Sequence, residues 1–156
     1  MKDFTPVYIP AGVPTFHLES AKAQFEASAE LLRSIDAGFA VPDDMLLSID
    51  ALDAFLGSVQ PDLVVFQNLT FANSAYISAV MRRVNCPILL WTLREPVIDG
   101  GRLRLNSLTG AYSAANAMRA FGGRRFEYVF GAPDEERVRK VISASVSAAR
   151  LIKDMR

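Results

Sequence analysis

Apolar residues in this chain follow two rhythms that alternate from one end to the other. Short apolar runs read as strands: Pro6-Val7-Tyr8-Ile9, Phe39-Ala40-Val41, Leu63-Val64-Val65-Phe66, Pro87-Ile88-Leu89-Leu90-Trp91 and Phe126-Glu127-Tyr128-Val129-Phe130. Runs without polar alternation suit strands covered on both sheet faces. Between them the apolar spacing widens to three and four. From about His17 to Ile35, Leu18, Ala21, Phe25, Ala29, Leu32 and Ile35 share one face, opposite Glu19, Lys22, Glu26, Glu30 and Arg33. That is an amphipathic helix. The same spacing predicts helices over Asp50 to Leu56, Phe71 to Val84 and Thr109 to Phe121. A last helix is opened by Asp134, Glu135 and Glu136, with Val138, Val141, Ile142, Ser145, Ala149, Ile152 and Met155 inward.

Turn chemistry falls between these elements: Gly12-Val13-Pro14, Gly38, Gly57, Gly122-Gly123 and Gly131 with Pro133. The longest irregular stretch runs from Leu93 to Leu108 and contains Asp99-Gly100-Gly101. Five β-α units with buried strands predict a single α/β domain over residues 1–156. Its expected form is a doubly wound, three-layer αβα, five-stranded parallel sheet of the flavodoxin-like (Rossmann-like) kind, strand order 2-1-3-4-5. Ligands of such sheets gather at the C-terminal strand ends.

Composition narrows the classes. Seventeen Lys and Arg balance seventeen Asp and Glu, so no basic face marks a nucleic-acid or anionic-membrane partner. Low net charge favours self-association. A homo-oligomer, most simply a dimer, is expected through Val97, Ile98, Leu103 and Leu105 of the irregular stretch, or through the final helix near Val146 and Leu151. A single cysteine, Cys86, allows neither an intrachain disulfide nor a cysteine zinc site. No segment reads as a signal peptide or membrane span, so a cytoplasmic location is expected.

The first β-α turn, Pro10-Ala11-Gly12-Val13-Pro14, lacks the glycines of a dinucleotide loop and the lysine of a phosphate loop, and Pro14 removes a donor that a flavin phosphate would need. Gly-x-Ser-x-Gly is absent. The lone histidine, His17, has no partners at metal-ligand spacing, so no metal or other cofactor is expected in this chain. What remains at the strand ends is aromatic and polar: Gln67-Asn68, Thr70-Phe71, Trp91 and Asn106-Ser107-Leu108-Thr109-Gly110. Aromatic faces with amides and hydroxyls suit a sugar. The same residues also serve as core (Phe71, Trp91) or as helix caps (Ser107, Thr109).

Pro61-Asp62-Leu63-Val64-Val65-Phe66-Gln67 with Leu69-Thr70-Phe71, the run Pro87 to Trp91, Leu105-Asn106-Ser107-Leu108-Thr109-Gly110, and Phe121-Gly122 through Tyr128-Val129-Phe130-Gly131 to Asp134 together resemble the N-terminal region of the L-fucose isomerase and L-arabinose isomerase superfamily. The resemblance implies the N-terminal, substrate-proximal or oligomerisation domain of a longer aldose–ketose isomerase, inactive alone. Full-length members of that family use manganese, held by later domains. The sugar would be met through a neighbouring subunit or those domains. It further implies sugar contacts from Phe71, Trp91, Asn106, Ser107 and Thr109, with Thr15, Phe16 and His17 joining from the first loop; no catalytic residue is implied here. The alternative is a stand-alone, non-enzymatic sugar-binding or assembly module on the same fold.

Overall fold

A computed structural model describes residues 3–122 and 126–156. The elements run β1 (Pro6–Ala11), α1 (Leu18–Ile35), α2 (Ile49–Gly57), β2 (Leu63–Asn68), α3 (Ser74–Arg83), β3 (Ile88–Thr92), α4 (Ser107–Gly122), β4 (Glu127–Phe130) and α5 (Glu136–Asp154). All strand pairings are parallel, in the order β1-β2-β3-β4. Every residue of β1, β2 and β3 is buried, as their unbroken apolar runs require.

Among the described residues the sheet has four strands, not the five expected. The run Phe39-Ala40-Val41 does lie parallel to β1, but only as isolated bridges, Ala40 to Val7 and Leu46 to Ala11. Between those bridges the outer segment advances six residues while β1 advances four. Two residues must bulge out, and the chain bends at Asp43-Asp44. Pro42 lies in this interval and has no N–H to give a ladder, which breaks the strand there.

Helices cover both faces. Tyr8, Val65, Leu89, Trp91 and Val129 pack against α1 and α5, while Val7, Ile9, Phe66, Ile88 and Leu90 pack against α2, α3 and α4. On the α1 side a polar group is carried inside the core. The Tyr8 hydroxyl donates to Gln67 Oε1 at 2.5 Å, and Gln67 Nε2 donates to Ser28 Oγ at 3.0 Å. All three residues are fully buried, and burial pushes the Tyr8 phenol far up, so the network stays neutral.

Helix limits differ from the spacing at two places that matter for the strand ends. The helix expected from Phe71 begins at Ser74, because the Asn73 side chain caps it by accepting from the Ala75 N–H at 3.0 Å. The helix expected from Thr109 begins two residues earlier, at Ser107. In α5 the buried stripe is Val138, Ile142, Val146 and Ala149, so Val146 belongs to the core and not to a free face. Leu105 is likewise buried, whereas Val97, Ile98, Leu103 and Leu151 are exposed. The Gly123 stop signal falls outside the described residues. No helix among those described is long and apolar enough to cross a membrane.

Candidate functional site at the C-terminal strand ends

Loops leave the C-terminal ends of the strands, and hydrogen bonds of their backbone N–H groups join them into one rim. The β1–α1 loop meets the β2–α3 loop through Leu69 N to Ala11 O at 2.8 Å and Val13 N to Thr70 Oγ1 at 2.9 Å. The long β3–α4 loop meets both, with His17 N donating to Arg104 O at 3.0 Å and Phe71 N to Leu105 O at 2.8 Å. Gly131 N donates to Thr92 O at 3.0 Å and ties in the β4–α5 loop.

One carboxylate shapes the long loop. Glu95 accepts from the N–H groups of Arg104 at 3.0 Å, Leu105 at 3.3 Å and Asn106. Three successive donors converging on one anion curl the chain immediately before α4, where the helix N-terminus also favours negative charge. Asn106 takes the left-handed conformation there (φ 52°), which asparagine tolerates better than most residues. Its Oδ1 accepts from Thr109 Oγ1 at 2.7 Å. Ser107 Oγ accepts from Leu93 N at 3.0 Å and donates to Asn68 O, fastening the start of α4 to the ends of β2 and β3.

Close approach at α4 depends on glycine. A Cβ on Gly110 would lie 2.6 Å from Asn68 Nδ2 and 3.2 Å from the Ala72 backbone nitrogen, so any side chain there would push α4 off the β2–α3 junction. Asn68 Nδ2 and Thr92 Oγ1, neighbours across β2 and β3, are buried beneath this junction without a hydrogen-bond partner among the described residues. At the far end of the rim Arg94 forms a two-pronged pair with Glu135 (2.8 and 2.9 Å) and lies 4.7 Å from the Phe130 ring centre. The Arg94 hydrogen bonds, then the Ala132 N–H, hold the Glu135 carboxyl at about 2, so this clamp is fully charged at neutral pH.

The expected sugar residues divide in two. Thr15, Phe16, His17, Phe71, Asn106 and Thr109 are exposed or half-buried on the rim. The rings of Phe16 and Phe71 lie 6.3 Å apart at 47°. Trp91 and Ser107, the other two residues named for sugar contact, are each only 1% exposed. Trp91 follows the two-residue period of its strand into the α1–α5 core and donates Nε1–H to Gly131 O at 3.0 Å. Both residues hold the rim from beneath. Spacing did not single out Glu95 as the loop anchor, or Arg102 and Arg104, which join Thr15, Phe16, His17 and Leu103 around a cleft of about 210 Å³. The signal available was three arginines within eleven residues of one strand-end loop, Arg94 to Arg104.

The described residues contain no group of three or more His, Cys, Asp or Glu side chains able to hold a metal ion, and the manganese of the isomerase resemblance is held by later domains of that family. Catalytic metal sites need several oxygen or nitrogen ligands around one open position.

No family model matches the chain. It is 59% identical over 151 residues to the sulfoquinovose isomerase of Clostridium sp. (strain MSTE9), covering 97% of this chain and 34% of that protein. It is 33% identical over 156 residues to the sulfoquinovose isomerase of Priestia megaterium (strain ATCC 12872 / QMB1551), with 98% and 34% covered. Against the sulfoquinovose isomerase of Alkalicoccus urumqiensis it is 34% identical over 154 residues, with 97% and 34% covered. The chain thus spans about a third of the length of the curated relatives it matches, and those relatives are sugar isomerases by name.

Proposed function

We propose that this chain forms the sugar-facing wall of an aldose–ketose isomerase whose substrate is sulfoquinovose, and that it is the N-terminal part of such an enzyme. The observation that carries this reading is 59% identity, running over 97% of the chain, to a protein of that name. Fucose and arabinose isomerases then stand as more distant kin, and their arrangement, in which a neighbouring subunit or later domain completes the site, is the model for this one.

The rim suits one wall of a site and not a whole one. A cleft of about 210 Å³ is smaller than the roughly 300–1,000 Å³ of an ordinary small-molecule pocket. Isomerisation moves a hydrogen between C1 and C2 of the sugar and shifts the carbonyl with it, which needs groups poised at both carbons. Glu95 is engaged by three backbone donors, and no group of metal-ligating side chains stands among the described residues. The role of this chain's residues is to bind and orient. Phe16 and Phe71 offer ring faces to the C–H side of the sugar, while Asn106 and Thr109 offer an amide and a hydroxyl to its oxygens.

A chimera tests the reading. The 156 residues, set in place of the matching third of the Clostridium sp. enzyme, should isomerise sulfoquinovose in the presence of manganese, and the 156-residue chain alone should not. A folded chimera without turnover contradicts the proposal, as does turnover by the chain alone that a chelator abolishes.

A further inference from the structure

Within the rim, two cations stand apart from every other Arg pairing of the loops. Arg94 is saturated by Glu135. Among the described residues Arg104 has one loose ion pair, with Asp99 at 3.7 Å, and the two side chains are 38% and 54% exposed. Such a pair is weak and exchanges readily for a better anion. Arg102 has no carboxylate of the described residues within ion-pair distance; its guanidinium rests on the Phe16 ring, 4.9 Å from the centre. His17 lines the same cleft. Its Nδ1 is engaged by Ser20, with the backbone N–H at 3.2 Å and Oγ at 2.7 Å, which leaves Nε2 as the ring nitrogen able to meet a ligand. The acidic groups nearest in the chain are turned to other work: Glu95 to the three backbone N–H groups and Asp99 to Arg104 and the Gly101 N–H. Glu19 sits exposed in the first turn of α1.

The cleft is also held in shape. Arg102 lies over the Phe16 ring, the Phe71 ring lies 6.3 Å from Phe16, and the His17 N–H bond to Arg104 O locks together the loops that carry the cations and His17. A planar guanidinium held in place loses less freedom on binding a tetrahedral or planar oxyanion than a loose one.

We propose that Arg102 and Arg104, with His17 Nε2, form the subsite for the sulfonate of the sugar, and so set the preference for a sulfonated over a neutral hexose. This rests on the reading above for the identity of the sugar, but not for the presence of the anion site. Sulfoquinovose is a glucose bearing a sulfonate on C6. That places the charged end of the sugar in the cleft and its C1–C2 end at the opposite side, away from Phe16 and toward whatever completes the site.

The test uses the 156-residue chain, with arginine Nε–H resonances followed by NMR at low salt during titration with sulfoquinovose, glucose and methanesulfonate. Saturable shifts at Arg102 and Arg104 with sulfoquinovose and methanesulfonate, and none with glucose, are expected. Arg102→Gln and Arg104→Gln should each weaken the sulfoquinovose affinity about tenfold or more, the scale of one charge-assisted hydrogen bond, while the remaining amide spectrum shows an intact fold. Equal response to glucose, no saturable response to sulfoquinovose, or shifts confined to other arginines would overturn the proposal. The two readings fail separately. A chimera that isomerises sulfoquinovose beside a chain whose two arginines ignore it removes the subsite only. Methanesulfonate bound at the arginines beside an inactive chimera removes the isomerase only.

Discussion

Trp91→Ala is expected to destabilise the chain by about 3–5 kcal/mol, the usual result of emptying a buried tryptophan site. Trp91 is the largest of the fully buried side chains and packs with Tyr8, Leu89, Val129 and Val138. The substitution also leaves Gly131 O, the acceptor of the indole N–H, without its donor. Gly131 itself has no slack. Its φ is 154°, and a Cβ there would lie 2.8 Å from both Glu135 Oε2 and Val138 Cγ2. The β4–α5 loop should loosen along with the core. Domains of this size have about 5–15 kcal/mol of stability in total, so the variant would be marginal. Urea unfolding of the 156-residue chain measures the loss. A Trp91→Ala chain of unchanged stability would contradict the role of the indole as a packed core residue.

The second large effect is local. Glu95→Gln keeps the size of the side chain but removes its charge and turns one of its two acceptor oxygens into an N–H donor. That donor would meet one of the N–H groups of Arg104, Leu105 and Asn106 head-on. Hydrogen bonds to a charged acceptor contribute roughly 1.5–3 kcal/mol each, and the three share one carboxylate, so a loss on the order of 2–4 kcal/mol is expected. It should fall on the β3–α4 loop, and with it on the positions of Asn106, Thr109, Arg102 and Arg104. Limited proteolysis should cut the variant between Leu93 and Asn106 well before the parent chain. Equal resistance in both would show that the loop is held by other contacts.

How much of this could be read from the sequence depends on where each residue lies. The strands β2 and β3 were plain because helices cover both of their faces and leave no polar position to confuse the run. The second expected strand failed at Pro42 and at a bulge that no periodicity reports. Phe71 and Ala72 continue the apolar spacing of α3, yet they belong to the rim, because the Asn73 cap and not the spacing decides where the helix begins. The period of two already divided Trp91 from Leu90, but with both faces apolar it could not say which face lay under the site. Ser107 was readable as a cap and proved to fasten α4 to Asn68 O and Leu93 N instead. The arginine cleft was the hardest to see. His17 and Arg104 are eighty-seven positions apart in number, and only the loop-to-loop bond brings them together. A net charge of zero over the whole chain also hid a local excess of cations.

On the proposed reading, the rim at the C-terminal strand ends is the surface that meets the sugar. Hydrogen–deuterium exchange on the Clostridium chimera, with and without sulfoquinovose, tests it most directly. Slowed exchange in the segments from Gly12 to His17 and from Leu93 to Thr109 is the result expected. Sugar-dependent protection confined to the opposite end of the sheet, around Leu63, Pro87, Phe126 and Ile152, would contradict it.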